Sequence, residues 1–345
     1  MERSVKILTA VSILALTLVI IFDVTGYFDP PAQLNKRLLL TEQKTNQLLI
    51  KEPISPIPET LVLNNQKVLL GATLFHDQNL SQNNTLSCAS CHDLNKGGSD
   101  NLPLPVTSHQ EGEKNTLPVF NTPTVFNTVF NFVQTWKGTA KTLEEQAITP
   151  LFNPSEMGNK DWSKILNYLS HSAEYQPLFK MLYPSPISGE YVLDAIAEFE
   201  RSLITPNARF DLYLKGDPHA LSPYELEGYQ LFKDRGCIAC HHGINVGGTM
   251  FQKSGIFKPM FEETEQNKNL NTTLNINDKT MLKVPSLRNI TLTAPYFHNG
   301  SVDALEEAID IMAKHQLGIT LPADENNKIQ AFLKTLTGQY KGQQL

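Results

Sequence analysis

Two copies of Cys-x-x-Cys-His, at Cys88–His92 and Cys237–His241, use all four cysteines of the 345-residue chain and sit among the same landmarks in each half. Gly71-x-x-Leu74-Phe75-x-Asp77 precedes the first copy, and Gly228-x-x-Leu231-Phe232-x-Asp234 precedes the second. A glycine pair follows each, Gly97-Gly98 and Gly247-Gly248. Then Pro123-Thr-Val-Phe-Asn127 answers to Pro285-Ser-Leu-Arg-Asn289, Gly138 to Gly300, and Leu143-Glu144-Glu145 to Leu305-Glu306-Glu307, all at one offset of 162 residues. Ile196, Phe199 and Leu203 return as Ile329, Phe332 and Leu336. Matches in the same order mark a diverged internal repeat. We read two related domains, 59–206 and 207–345.

The repeat is mainly α-helical. Val192, Ile196, Phe199 and Leu203 fall at helical spacing in 189–203, and segments 302–313 and 326–337 carry the same period. Another helix starts at Leu143. Strand alternation is scarce, with one short ribbon expected within 249–284. Hydrophobic residues at 41% and charged residues at 19% fit a globular chain. A net charge of −6 gives no support for a nucleic-acid partner. Two loop-rich helical domains bury little apolar area by themselves, so each calls for something bound at its centre.

The repeated motif supplies it. Cys-x-x-Cys-His is the attachment signature of c-type haem: two thiols one helical turn apart add to the two vinyl groups, and the next residue offers a ring nitrogen to the iron. Zinc sites prefer two Cys-x-x-Cys pairs about 15–20 residues apart, whereas 145 residues separate Cys91 from Cys237. A dithiol redox pair belongs on a βαβ pattern, which is missing. His92 and His241 are therefore the expected proximal ligands of two covalent haems. Six-coordinate iron needs a second ligand from a distance. Met312 is favoured for the second haem, while His76, His109 and Met157 are all within range of the first.

The strings LSCASCHDLNKGGSDNLP, NTPTVFN and KVPSLRNITLTAPYFHNGSVDALEEAIDIMAKHQLG resemble those of bacterial di-haem cytochrome c peroxidases, and the likeness runs from about Val68 to Gly338. The resemblance implies two cytochrome c-like helical domains, each built around one covalent haem, with a calcium ion at their interface. It implies reduction of hydrogen peroxide with electrons from a small c-type cytochrome or copper protein, and a tendency to dimerise. The haem on Cys88, Cys91 and His92 resembles the peroxidatic one. The haem on Cys237, Cys240 and His241 resembles the electron-accepting one, with Met312 as its second ligand. By the same resemblance, His109 is a removable distal ligand, Gln146 and Glu156 line the peroxide pocket, and Trp136 lies between the haems. Asn121, Thr293 and Pro295 match the calcium site, and His298 matches a residue near the haem propionates. Segment Gln110–Lys114 is a departure, since the family reaches its Asn-x-Pro-Thr string sooner after the distal histidine.

Met ligation raises a haem's potential relative to His, so the Met312 haem is expected to be reduced first. A carboxylate with a raised pKa then suits proton movement during peroxide cleavage, and Glu156 is the candidate. Two other readings remain: a di-haem electron-transfer cytochrome without turnover, and a MauG-like oxidase of a protein substrate, against which Met312 argues because those relatives carry Tyr there. Upstream, Arg3 and Lys6 precede the uncharged run 7–22, the pattern of an export signal. Residues 1–28 are thus a cleaved signal or a retained membrane anchor, 29–58 are a linker, and the rest is expected in the periplasm.

Overall fold

The computed structural model describes residues 52–105, 120–260 and 281–345. The N-terminal half supplies α1 (Asn65–His76), α2 (Cys88–Cys91), α3 (Leu143–Phe152), α4 (Ser163–His171), α5 (Tyr175–Leu182) and α6 (Gly189–Ser202). The C-terminal half supplies α7 (Arg209–Leu214), α8 (Pro223–Asp234), α9 (Leu305–Ile311) and α10 (Ala323–Lys334). Strands β1 (Phe251–Lys253) and β2 (Met281–Lys283) pair antiparallel, Phe251 opposite Lys283. A second two-stranded ribbon joins β3 (Gln339–Tyr340) to β4 (Gln343–Gln344). Among the described residues no helix is long and apolar enough to cross a membrane. The apolar run 7–22 lies outside those residues.

Local chemistry sets the helix starts. Asn64 caps α1 by accepting from the backbone N–H of Gln66 and Lys67. Ser222 and Glu225 form a reciprocal capping box on α8, with Pro223 in its first turn.

Both halves then repeat one packing solution. Helix α1 crosses α6, and α8 crosses α10. A glycine sits at each crossing. A Cβ on Gly71 would lie 1.9 Å from the Ala195 carbonyl oxygen, and one on Gly228 would lie 1.9 Å from that of Lys328. Phe199 and Phe332 close the same crossings. The repeated glycine and the repeated phenylalanine are therefore two sides of one helix contact.

The repeated asparagines meet at the centre of the molecule. Asn127 and Asn289 both adopt left-handed backbone, φ 62° and 60°, and each opens a short 3₁₀ turn. Asn127 Oδ1 accepts from the Thr205 N–H at 2.8 Å, as Asn289 Oδ1 accepts from the Gly338 N–H at 3.0 Å. Both side-chain amides donate to one atom, Thr205 Oγ1, at 2.7 and 3.1 Å. Next to Asn289, the fully buried Arg288 donates to Asp211 Oδ1 at 2.7 Å and to the carbonyls of Ile244 and Ser55.

Three differences from the sequence reading have physical causes. Residues 52–58, expected as the tail of a linker, are packed: Ile54 is buried in the core of the C-terminal half with Phe210, Tyr229 and Phe332. The expected helix 326–337 runs three residues earlier, because Asp324 and Glu325 suit a first turn and Thr335–Thr337 leave the helix in the Asn289 contact. The expected helix 302–313 begins at Leu305 and changes at Met312 into a π-helical turn, Met312–Leu317. The expected ribbon is β1–β2.

Helix α6 carries one charge on its apolar face. Glu200, one turn beyond Ile196, is 5% exposed, and its Oε2 has no hydrogen-bond partner. Burial, then the nearby Glu144 carboxylate, pushes its pKa up to about 8. The folded state thus holds this proton up to about pH 8, whereas the unfolded chain releases it near the ordinary carboxyl value of 4.5. Stability falls as pH rises between those limits. Glu200→Gln should flatten this decline and stabilise the protein above pH 8 by up to a few kcal/mol, read from denaturant unfolding across pH. Gly71→Ala and Gly228→Ala should each cost about 1–3 kcal/mol or more by overpacking, in the same measurement on protein with full haem content. Unchanged midpoints would mean the helix pairs separate without cost.

Candidate active site

The Cys-x-x-Cys-His motif of the C-terminal half borders a cavity of about 270 Å³. Cys237 opens a 3₁₀ turn behind Gly236, whose φ of +92° turns the chain sharply after α8. His241 N–H then closes on the Cys237 carbonyl at 3.0 Å. Cys237, Cys240, His241 and Met312 all line this cavity, with apolar walls from Leu305, Ile309 and others. His241 is buried, and its Nδ1 lacks a hydrogen-bond partner, although the carbonyls of Val246 and Pro285 lie close to the ring. Burial pushes its pKa down to about 4, so the ring is the neutral imidazole, the form able to ligate a metal. Met312 sits where α9 gives way to the π-helical turn, a feature frequent at functional sites. Two thiols, a neutral imidazole and a thioether on one apolar cavity fit a covalent haem.

The N-terminal motif is built differently. Cys88–Cys91 form the one-turn helix α2, closed by Ser87 and Ser90 in a capping box. His92 follows, its Nδ1 3.3 Å from the Gly98 carbonyl. Donation there leaves Nε2 as the free lone pair. Gly97 and Gly98, φ +68° and +76°, bring that carbonyl back over the ring, and Thr124 Oγ1 pins Gly97 at 2.6 Å. Burial lowers the His92 pKa.

The cysteines have neither zinc nor redox character. All are free, and among the described residues no three His, Cys, Asp or Glu side chains converge as a metal site. Burial pushes the Cys88 thiol up to about 12 and Cys237 up to about 11, far from the low-pKa thiolate of a dithiol centre.

Glu156 comes to the N-terminal motif. It ends the turn after α3, where its N–H donates to the Asn153 carbonyl and its Oε1 accepts from Asn153 Nδ2 at 2.7 Å. Its carboxyl is close enough to raise the pKa of both Cys88 and Cys91, and burial raises its own. Gln146 is half-buried on α3. Of the open candidates for a second ligand, His76 is exposed and bound to its own helix through the Ala72 carbonyl. Met157 is buried among core residues of the N-terminal half. His109 lies outside the described residues.

The remaining expected residues gather on the same cavity as Met312. Trp136, Asn121, Thr293, Pro295 and His298 all line it. Trp136 Nε1 donates to the Asn121 carbonyl at 2.9 Å, and its ring meets His298 edge-on with centroids 6.3 Å apart. Asn121 N–H donates to the His298 carbonyl at 2.8 Å, which joins the halves directly. Asn121 Nδ2 donates to Leu102, which leaves Oδ1 as an acceptor. Burial, then the positive charge of Lys137, pushes the His298 pKa down to about 4.

Glu200 and Lys283 are buried ionisable residues that escaped the sequence reading. Glu200, near Cys88, carried a signal: it stands at helical spacing from Val192 and Ile196, on the apolar stripe. Lys283 on β2 lines the cavity and carried none, since a lysine in a three-residue strand reads as surface.

Comparison with known proteins agrees with this geometry. A family model described as di-haem cytochrome c peroxidase matches residues 65–219. The cytochrome c peroxidase Ccp of Escherichia coli is 44% identical over 84% of this chain, which spans 62% of that protein's length. The cytochrome c551 peroxidase of Nitrosomonas europaea is 42% identical over 83% of this chain and 84% of its own. The crystal structure of a MauG-like protein associated with microbial copper homeostasis superposes with a TM-score of 0.72 at 28% identity, covering 84% of this chain and 94% of that one. With its two haem-attachment motifs, its helical fold and these relatives, the chain belongs to the di-haem cytochrome c peroxidase family.

Proposed function

We propose that this peroxidase reduces hydrogen peroxide to water beside the haem of the Cys88–His92 motif, with electrons entering through the haem of the Cys237–His241 motif. The placement of Glu156 carries the reading: a buried carboxyl with a raised pKa stands beside the N-terminal haem motif. Bound haem supplies redox-active iron, which accepts electrons singly and is the centre for peroxide cleavage. One turnover consumes two electrons and two protons and yields two waters. The chain's residues handle the protons and the geometry. Asn153 holds one carboxyl oxygen of Glu156, so the group is aimed rather than free to rotate. Burial raises its pKa and so favours the protonated carboxyl over the carboxylate, which suits a group that moves a proton from the near to the far oxygen of peroxide. Gln146 helps to position the substrate.

In the other half, Met312 serves as a soft, neutral ligand that favours ferrous iron. The contacts of Trp136 with Asn121 and His298 support a role between the haems. Asn121 Oδ1 and the carbonyls of Thr293 and Pro295 are hard oxygen donors suited to calcium, which would hold the halves in register. We read each half, 59–206 and 207–345, as a cytochrome c-like domain. The donor is a small c-type cytochrome or copper protein, and the basic start with the run 7–22 supports a periplasmic location, with a tether there and a homodimer as further proposals.

Glu156→Gln should lower peroxide turnover about 10²–10⁴-fold with both haem spectra intact; near-normal turnover would move the proton role elsewhere. Met312→His should keep a low-spin haem but lower its potential and collapse turnover, measured by spectroelectrochemistry. If Met312→Ala leaves that spectrum and potential unchanged, Met312 is core filler.

A further inference from the structure

The cavity beside Cys237 and Cys240 has a charge problem. Among the described residues no Asp or Glu lines it, yet Lys283 does. The residue is 8% exposed, and its side chain makes no hydrogen bond or ion pair among the described residues. Its backbone is fixed: the N–H donates to the Trp136 carbonyl at 2.8 Å, and β1 holds the strand from the other side. Val284 beside it continues the same wall. Burial alone pushes the lysine pKa down to about 8, with no carboxylate opposing it. Lys137 is buried and reaches back to the Met281 carbonyl on the same strand, and its charge acts on His298. An ammonium in an apolar cavity costs several kcal/mol unless an anion meets it. No described residue offers such an anion on this cavity, which leaves the place to the bound group.

We infer that the Lys283 ammonium pairs with a propionate carboxylate of the haem held by Cys237, Cys240 and His241. This assignment rests on the proposed haem reading. It gives β2 a purpose: the strand is fastened to Trp136 on its backbone and to the haem through its last side chain. The pairing also sets a potential. A fixed positive charge beside the haem favours the ferrous state, in the same direction as a Met ligand. Through the Lys283–Trp136 backbone bond, the same strand joins the electron-accepting haem to the residue between the haems.

The experiment is a redox titration of the purified holoprotein, with haem content counted by mass spectrometry. Lys283→Gln should retain two haems and a low-spin Met-ligated spectrum. The ferrous-to-ferric equilibrium of that haem should shift about tenfold towards ferric, a fall of about 59 mV for one electron. Lys283→Arg should restore the wild-type potential, which a merely structural lysine would not require. An unchanged potential in Lys283→Gln overturns the inference while two haems leave the underlying reading standing. Fewer than two haems in the wild-type protein overturns that reading itself. If Lys283→Gln does not fold, a crystal structure of the wild-type holoprotein decides: Nζ within about 3.2 Å of a propionate oxygen supports the pairing, and a side chain turned away from both propionates overturns it.

Discussion

The hydroxyl of Thr205 is the point on which the two halves agree. It accepts from the side-chain amides of Asn127 and Asn289, the same residue of the repeat in each half. All three residues are fully buried, so these bonds meet no competition from water. Losing a partner would leave a buried amide unsatisfied, which costs about 1–3 kcal/mol. Each asparagine also needs left-handed backbone, which Asn tolerates better than most residues. Upstream of each asparagine is the Pro-initiated string whose carbonyl lies near a proximal histidine, Pro123 by His92 and Pro285 by His241. A shift at Thr205 would therefore reach both haem motifs.

Burial then divides the chemical labour. In the N-terminal half it raises the carboxyls of Glu156 and Glu200, which keeps protons close to the motif where peroxide is proposed to react. In the C-terminal half it lowers the pKa of His298 and Lys283 around a cavity that no Asp or Glu among the described residues lines. One repeat has diverged into two electrostatic environments on similar helix crossings.

Much of this was legible in the sequence because its signals are local. The two attachment motifs, the repeated glycines and the α6 stripe depend on spacing along the chain. Trp136, Asn121, His298, Thr293 and Pro295 came from a resemblance, and the structure gathers them with Met312 on one cavity. What stayed hidden depends on contacts far apart in sequence. Lys283 is unusual only because its environment is closed. Ile54 was read within a polar, proline-rich linker, and only the cluster formed by Phe210, Tyr229 and Phe332 makes it core. Asn127 and Asn289 were legible as repeat landmarks, whereas their shared contact with Thr205 was not.

The chain's two described ends are exchanged. The segment at Pro53–Ile57 leads into the N-terminal half, yet Pro53 accepts from Gly243, Ser55 accepts from Arg288, and Ile54 fills the C-terminal core. At the other end, Tyr340 and Leu345 leave the C-terminal half and pack on Phe126 and its neighbours in the N-terminal one. The halves are thus clasped like two hands, each gripping the other's wrist. Neither half can be cut out as an intact module, because each would leave part of its own core behind. A duplication that began as two separable units has become a single cooperative body, and the distance between its two iron sites is fixed by both ends of the chain.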